Sequence, residues 1–295
     1  HTSLGGAGNV VANLVALGTG TVRAFPVVGT DMFGGRIVQL LEAMQVDCSG
    51  TVRVKDEDAW QTLAYCKPYV GLQEEPRIDM GNFNTLSDDA CEDLIRGLER
   101  ALPTLDVVIV NQQVRTGIHT PFMMRALAAL MQRHPECPFI LDARDIPEAY
   151  PTAWLKLNDR EAAGLCGHLV LPGDVVLERE VRHAAEFLYS RRGQPVFVTR
   201  GERGCILYDG DGVHGVPGLQ VVGPTDTVGA GDAFLAALAA SIAAGATHAD
   251  AMCVGNLAAR VTVAKLRQTG TASPAEILSV GTDPQYIFRP EVADD

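Results

Sequence analysis

Runs of apolar, often β-branched residues alternate with helical patterns along almost the whole chain, and no other feature limits the fold as strongly. Solidly apolar segments such as 107–110 and 196–199 are typical of strands that are buried on both faces. Strands that alternate with helices predict a parallel sheet whose two faces are covered by helices. We therefore expect an α/β fold with a doubly wound, mostly parallel sheet.

The bounds of the individual elements follow from the same patterns together with cap and turn residues. Ser87 is the predicted N-cap of a helix that ends near Ala101. The predicted helices cover residues 33–44, 88–101, 121–133, 159–165, 175–191, 230–244 and 248–265, with a short one from 274. The predicted strands cover residues 21–28, 52–54, 61–69, 107–110, 139–142, 155–157 and 196–199, with a hairpin formed by 205–208 and 213–216.

Residues 51–79 interrupt this rhythm, because short strands follow one another there with no helix between them. Such a segment predicts a small β appendage over one edge of the sheet. No internal repeat, low-complexity tract or linker divides the chain. We therefore expect one domain over residues 1–295.

The charge and the apolar runs exclude two classes of partner. The chain has 36 Asp and Glu against 24 Lys and Arg, a formal charge of −12, whereas nucleic-acid binding needs clustered cations. A single phosphate is still compatible with this charge, since a few cations and backbone amides can bind it. The longest apolar run, 233–246, is too short to span a bilayer. The seven scattered cysteines contain no CxxC pair and predict reduced thiols without a zinc site, so we expect a cytoplasmic protein.

The segment Asp-Thr-Val-Gly-Ala-Gly-Asp at 226–232 stands just where an Ala-rich helix is predicted to begin. Glycines let the backbone approach an anion closely, so the amides of Gly229, Ala230 and Gly231 can point at a phosphoryl group. The helix dipole adds positive potential there and favours an ionised Asp232, which could accept a proton from an attacking hydroxyl. The alternative interpretation is an ordinary glycine turn with a capping Asp.

Two segments resemble signatures of one family. Residues 226–232 are similar to the C-terminal DTxGAGD signature of the ribokinase-like, or PfkB-type, carbohydrate kinases. Residues 5–13, Gly-Gly-Ala-Gly-Asn-Val-Val-Ala-Asn, followed by Leu17 and Gly18, are similar to its N-terminal signature. The resemblance extends from Leu4 to about Leu278. It implies a doubly wound sheet with a small β lid, ATP and Mg²⁺ at the carboxyl edge of the sheet, and phosphorylation of a sugar hydroxyl.

Further motifs of the family place the nucleotide and the metal. Asn158 and Glu161 resemble the NxxE motif, which implies that they position Mg²⁺ through water and help to place the phosphate. The same spacing also predicts a helix capping box. The nucleotide-binding residues implied by the resemblance are Thr199, Gly201 and Gly204 of a TxGxxG turn, Thr227, and Asn256 near the adenine. For Asn256, a partly exposed polar position on a helix remains an equal alternative.

The sugar side of the site is implied by the N-terminal signature. Gly5 and Gly6 allow close backbone approach, and Asn9 can donate to and accept from hydroxyls. Asp31 resembles the Asp of a VGxD motif, with a helix N-cap as the alternative, and Arg144 follows a strand at its carboxyl end, where α/β sheets bind ligands. Three further cations, Lys67, Arg77 and Arg115, are candidates for a substrate phosphate or are solvated surface charges.

The resemblance also implies a monovalent cation, such as K⁺, and a homodimer. Backbone oxygens near Asp226 and Val228, together with the loop at 270–273, would hold the cation. The β lid would form the dimer contact. The family opens with a strand and a substrate-binding Asp ahead of the double glycine, so we expect that strand and part of the lid to precede residue 1.

The spacing of the N-terminal signature bears on the substrate. Asn9 follows Gly5 by four positions, one fewer than in ribokinases and fructokinases. This spacing resembles the kinase domains of bacterial ADP-heptose synthesis enzymes, which phosphorylate heptose 7-phosphate at the anomeric carbon, and 77–79, 155–161 and 256–265 agree with it. We expect residues 1–295 to hold the kinase domain alone, without the nucleotidyltransferase half of those enzymes. A kinase for another sugar or a nucleoside, or a degenerate sugar or nucleotide sensor, remains an alternative.

Overall fold

The computed structural model describes residues 2–56, 59–71, 73–171, 173–219, 221, 223–266 and 268–282. The chain divides into two compact units. The first comprises His1–Leu4, Thr21–Thr104 and Gln113–His134, and the second comprises Gly5–Gly20, Leu105–Gln112 and Pro135–Asp295. The prediction of one domain with a β lid stays a prediction.

The elements are numbered in chain order within the described residues. The helices are α1 (Ala7–Ala16), α2 (Met32–Ala43), α3 (Asp88–Ala101), α4 (Pro121–Arg133), α5 (Asp159–Leu165), α6 (Glu178–Arg192), α7 (Ala230–Ala243), α8 (His248–Val263) and α9 (Pro274–Thr282). The strands are β1 (Val27–Gly29), β2 (Val52–Val54), β3 (Ala64–Cys66), β4 (Tyr69–Val70), β5 (Gln73–Glu74), β6 (Ile78–Met80), β7 (Val108–Gln112), β8 (Phe139–Ala143), β9 (Trp154–Asn158), β10 (Val196–Thr199), β11 (Cys205–Tyr208) and β12 (Val213–Val216).

The second unit is built on a six-stranded sheet with the order β12-β11-β10-β9-β8-β7. Strands β7 to β10 run parallel to one another, and β11 and β12 add an antiparallel hairpin beside β10 at one edge. The predicted mostly parallel sheet is confirmed, and so is the predicted hairpin. All five residues of β8 are buried, as a parallel strand covered on both faces requires.

Helices cover both faces of this sheet. Phe197 and Leu207 pack with Phe234 of α7 in a cluster to which α1 and α8 also contribute. Successive side chains of a strand point to opposite faces, so Tyr208 faces the other side from Leu207. There its ring lies 5.0 Å from that of Tyr189 on α6.

The first unit holds short sheets. Strands β1 and β2 pair in parallel, β3 pairs with β6 and β4 with β5 in antiparallel fashion. No helix falls among the described residues between β2 and β6, as the sequence predicts for 51–79. Helix α3 begins where predicted, because the Ser87 side chain accepts a hydrogen bond from the Ala90 amide.

Several elements differ from the sequence prediction. The strand predicted over 61–69 is two short strands, β3 and β4, because Pro68 between them has no amide to pair. Helix α1 was not predicted, because the glycines at its start mask its apolar periodicity. Strand β1 is shorter than 21–28, since Pro26 has no amide with which to extend the pairing. Helix α6 begins at Glu178 rather than 175, because the Glu180 carboxylate accepts from the Leu177 amide and fixes the first turn there.

None of the described helices combines the length and the apolar character needed to cross a bilayer.

Gly255 sets how closely α7 and α8 pack. A Cβ at this position would lie 3.0 Å from Cδ2 of Phe234, closer than side chains normally approach. We expect Gly255→Leu to lower the free energy of unfolding by about 1–3 kcal/mol or more through overpacking. Chemical denaturation followed by circular dichroism measures the change.

The matched control is Gly164→Leu on α5, an exposed helical glycine with no atom within 4 Å of its Cβ position. This variant should be neutral or stabilising, because Leu favours helix over Gly. Equal losses for the two variants would contradict the packing account.

Candidate active site

The carboxyl ends of the parallel strands bring several polar side chains to one edge of the sheet, the edge at which such folds bind ligands. Asp142 near the end of β8 accepts from Lys156 of β9, with 3.4 Å between Nζ and Oδ2. Asn111 of β7 donates to the same oxygen at 3.5 Å. The Oδ1 atom of Asn111 is buried and has no partner among the described residues, so an acceptor remains available at this edge.

The glycine-rich turn lies directly before α7, where the sequence predicts it. Gly229 is the N-cap residue with φ of 85°, a conformation that favours glycine, and no side chain caps the helix. A Cβ on Gly229 would lie 2.8 Å from Nδ2 of Asn9 and 2.8 Å from Cγ2 of Thr269. The Ala230 amide donates to the Thr227 carbonyl at 3.2 Å, so this one of the three predicted anion-binding amides is engaged within the turn.

Asp232 lies in the first turn of α7 and is bound by the first turn of α1. The Nδ2 group of Asn9 donates to Oδ2 of Asp232 at 2.7 Å. Burial raises the pKa of Asp232 above its ordinary value, and the charge of Asp142 adds to the rise. The hydrogen bond from Asn9 and the charges of Lys156 and Arg144 act in the opposite direction. A carboxylate with a raised pKa is suited to accept a proton near neutral pH.

Lys156 is a charged residue of this edge that the sequence analysis missed. It is 6% exposed, and its Nζ atom would lie 3.2 Å from a Cβ on Gly231, so the ammonium stands against the start of α7. The available signal was a Lys inside the otherwise apolar strand at 154–157. Buried lysines are rare unless they are paired, so a lysine within an apolar strand indicates a buried charge with a partner.

Asn158 and Glu161 form the capping box that their spacing predicts. The Asn158 side chain accepts from the Glu161 amide and the Glu161 carboxylate accepts from the Asn158 amide, each at 2.8 Å. Burial raises the pKa of Glu161, while the Asn158 amide and the Lys156 charge oppose the rise. The half-buried carboxyl of Glu161 and that of Asp142, whose charge acts on it, are oxygen donors of the kind that Mg²⁺ prefers. The described residues contain no group of three or more His, Cys, Asp or Glu side chains that could hold a metal ion, so these two carboxyls fit a Mg²⁺ that keeps several of its waters.

The turn after β10 is held by arginine side chains. Arg200 donates to Glu178 at 3.0 Å, and Arg203 donates to Asp159 at 2.7 Å. Gly201 and Gly204 both have positive φ, and a Cβ on Gly204 would overlap the Val216 carbonyl. These contacts hold the turn, whose first residue, Thr199, pairs with Asn158 at the end of β9.

Three further predicted nucleotide-side residues have defined surroundings. Thr199 donates through its hydroxyl to the Leu157 carbonyl at 3.3 Å. Thr227 is exposed in the glycine turn. Asn256 on α8 is half-buried and donates to the Pro217 carbonyl at 3.1 Å, so one of its amide hydrogens already has a partner.

The predicted sugar-side residues fall in both units. Gly5 and Gly6 form the turn into α1, with φ of 47° at Gly6, and Arg144 is exposed just past the end of β8. Asp31 belongs to the first unit and caps α2, accepting from the amides of Phe33 and Gly34 at 2.9 Å each. The helix-cap alternative for Asp31 is confirmed, and its substrate role stays a prediction.

The hydrogen bonds of Asp31 change its ionisation. Burial alone would raise the pKa of this carboxyl, but the Thr62, Gly34 and Phe33 amides and the Thr62 hydroxyl lower it further than burial raises it. Asp31 is therefore an ionised cap.

Of the three candidate phosphate-binding cations, Arg77 is engaged with neighbours in its own unit. Its Nη2 donates to Asp79 at 2.7 Å, and its guanidinium lies 4.4 Å from the centre of the Tyr65 ring. Lys67 and Arg115 also have partners within the chain. A phosphate role for these cations stays a prediction.

Residues 270–273 form the loop that is predicted to hold a monovalent cation together with Asp226 and Val228. The Lys265 ammonium lies against this loop. Lys265 donates to the Thr271 carbonyl at 2.5 Å and pairs with Glu276 at 2.6 Å. The Asp226 side chain accepts from the Val228 amide at 3.0 Å. A further cation at Thr271 would be repelled by Lys265, so this carbonyl does not fit the predicted role.

Comparison with known proteins agrees with this fold and these motifs. A family model described as pfkB family carbohydrate kinase matches residues 1–276. The chain therefore belongs to this family of phosphotransferases, which confirms the resemblance drawn from the two signatures.

Within this family, the chain is similar to two proteins of the same name. The bifunctional protein HldE of Trichlorobacter lovleyi is 31% identical over 281 residues, which cover 94% of this chain and 54% of that protein. The protein of the same name from Gluconobacter oxydans is 30% identical, with coverage of 92% and 55%. The chain thus spans about half the length of these relatives.

Solved structures share the fold at lower identity. Phosphofructokinase-2 from Escherichia coli, in complex with substrates and products, matches with a TM-score of 0.71 at 21% identity, covering 93% of this chain and 86% of the other. Ribokinase from Thermotoga maritima matches with the same TM-score, identity and coverage. The ribokinase-like fold is therefore confirmed.

The buried pair Lys156–Asp142 gives a prediction for stability. Lys156→Met leaves the Asp142 carboxylate buried without its cation, which should lower the free energy of unfolding by about 3–5 kcal/mol. Urea denaturation measures the loss. The double variant Lys156→Met with Asp142→Leu removes both charges and should recover most of it.

Arg179→Met is the control, because Arg179 is an exposed cation on α6. Its effect should stay within about 0.5 kcal/mol. A Lys156→Met loss no larger than that of the control would contradict the account of a paired, buried charge.

Proposed function

We propose that this chain transfers the γ-phosphoryl group of Mg-ATP to a hydroxyl of a sugar or sugar phosphate, with Asp232 as the general base. The observation that carries the proposal is the Asn9–Asp232 pair, 2.7 Å apart, beside a helix start that no side chain caps. An uncapped helix N-terminus offers amides to a phosphoryl group, and the neighbouring carboxylate can take the proton of an acceptor hydroxyl.

The proposed chemistry uses the residues of this edge in the following way. The acceptor oxygen forms a bond to the γ-phosphorus while the bond to the β-phosphate bridging oxygen breaks, and ADP leaves. Asp232 receives the hydroxyl proton. The amides of Gly229 and Gly231, the dipole of α7 and the Lys156 ammonium favour the negative charge that spreads over the transferring group.

Mg²⁺ would be held near Glu161 and Asn158 through water, and when bound it neutralises charge on the ATP phosphates. The turn at 199–204, with Thr227 and Asn256, is the proposed nucleotide side. Gly5, Gly6, Asn9, Asp31 and Arg144 are the proposed sugar-side residues. K⁺ and a homodimer through the β lid remain proposals from the family resemblance.

For the acceptor we propose heptose 7-phosphate, phosphorylated at the anomeric position. Two relatives named bifunctional protein HldE are 31% and 30% identical to this chain over 94% and 92% of its length. The short spacing between Gly5 and Asn9, which resembles that of the heptose kinase domains, supports the same choice. The rival acceptors are other sugars and nucleosides, and the rival function is a sensor that binds without turnover.

Removing the base gives the sharpest functional prediction. Asp232→Asn should lower kcat by about 10² to 10⁴-fold, because general-base assistance is lost, while ATP affinity changes little. Sugar-dependent ADP release and isothermal titration with ATP measure the two quantities.

Asp211→Asn is the control, since Asp211 is an exposed carboxylate in the β11–β12 turn. It should retain full activity. An Asp232→Asn variant with more than half of the normal kcat would remove Asp232 from the mechanism.

The acceptor is tested by ADP release with heptose 7-phosphate, fructose phosphates, ribose, fructose and adenosine, with and without K⁺. We expect turnover with heptose 7-phosphate alone. Turnover with a different acceptor would keep the kinase and reject the heptose assignment. ATP binding with no turnover on any acceptor would favour the sensor.

A further inference from the structure

Asn13 is a buried amide beside the candidate base, and the proposed mechanism gives it no role. It lies on α1 one turn after Asn9 and is 1% exposed. Burying a carboxamide costs free energy unless its donors and its acceptor are paired. The partners of Asn13 therefore show what its side chain does.

One end of this amide is fixed by a backbone group. The Ala272 amide donates to Oδ1 of Asn13 at 3.2 Å. A backbone N–H can only donate, so this contact requires the oxygen of Asn13, and not its nitrogen, to face Ala272. The nitrogen must then point the other way.

The nitrogen of Asn13 points at Asn9. It donates to the Asn9 carbonyl at 3.0 Å, lies 3.4 Å from the Gly270 carbonyl, and lies 3.5 Å from Oδ1 of the Asn9 side chain. A donor beside Oδ1 favours the orientation of the Asn9 carboxamide in which Nδ2 faces Asp232. In the flipped orientation, Asn9 would present an oxygen to the carboxylate and an N–H to the N–H of Asn13.

The loop that carries Ala272 is itself held in place. Ser273 donates through its amide to Glu276 at 2.9 Å, and Lys265 pairs with the same carboxylate. The Lys265 hydrogen bond is the main cause that holds the pKa of Glu276 at about 2. The loop thus offers a fixed donor to Asn13.

We propose that Asn13 is a positioning residue for Asp232, which it orients through Asn9; this inference rests on the proposed role of Asp232 as the base. In the hydrogen-bond series Ala272–Asn13–Asn9–Asp232, each group donates to the next, from the Ala272 backbone amide to the Asp232 carboxylate. A donated hydrogen bond favours the ionised form of a carboxyl, so this series keeps Asp232 able to accept a proton.

The proposal predicts the direction in which the acid limb of the pH–activity profile moves in each variant. Asp232 must be ionised to act, so activity falls on the acid side as pH drops through its pKa. Asn9→Ala removes the donor and should move this acid limb of kcat to higher pH by about one unit. Asn13→Leu, of similar volume, should move it in the same direction by about half as much, with the KM for ATP nearly unchanged.

Asn13→Asp is the second variant and guards against misfolding of the leucine variant. It keeps an acceptor for the Ala272 amide but cannot donate to Asn9, and its charge also disfavours ionisation of Asp232. Its acid limb should shift at least as far as that of Asn13→Leu.

The control is Thr262→Val on α8, another side chain that is 1% exposed and donates to a backbone carbonyl, that of Ala259. It should change stability but not the pH profile. Asn13 variants with the wild-type acid limb, while Asn9→Ala shifts it, would overturn the proposal and leave Asp232 as the base. Full activity of Asp232→Asn would instead overturn the proposed function itself.

Discussion

The hydrogen bond from Asn9 to Asp232 joins two residues that are 223 positions apart in the chain. Each lies in the first turn of a helix that begins at a glycine turn, with φ of 47° at Gly6 and 85° at Gly229. The positive ends of two helix dipoles therefore meet at one carboxylate. This arrangement offsets part of the cost of burying Asp232, and it explains why the turn before α7 must carry a glycine where Asn9 approaches.

The charges around Asp232 oppose one another. Burial and Asp142 raise its pKa, while Asn9, Lys156 and Arg144 lower it. Lys156 serves two needs, because it pairs with Asp142 inside the sheet edge and adds positive charge at the start of α7. Removing any one of these partners should therefore lower the free energy of unfolding, because it leaves another buried charge without compensation. Such groups are common where buried polar residues support chemistry.

Much of the architecture was predictable from the sequence because local patterns determine it. Apolar runs of the parallel strands, the caps at Ser87 and Asn158, and the hairpin at 205–216 all follow from residues within one element or one turn. Helix α1 was missed because its glycines hide an apolar face that becomes evident only when it packs on α7.

The side-chain pairings of the site were less predictable. The motifs named both Asn9 and Asp232 but gave them separate roles, since nothing local shows that a residue at position 9 meets one at 232. The bond from the Ala230 amide to the Thr227 carbonyl and the bond from Lys265 to the Thr271 carbonyl are local contacts within a turn and a loop, and the motifs did not predict them because they name residues and not the partners of backbone groups. Lys156 was the exception, because a lysine within an apolar strand is visible in the sequence.

The most direct test of this account is a ¹³C NMR titration of the Asp232 carboxyl, assigned by its loss in Asp232→Asn. The account predicts a pKa above the ordinary 3.8 in the unaltered protein and a higher one in Asn9→Ala. A pKa at or below 3.8, or one that Asn9→Ala leaves unchanged, would contradict the central role of the Asn9–Asp232 pair.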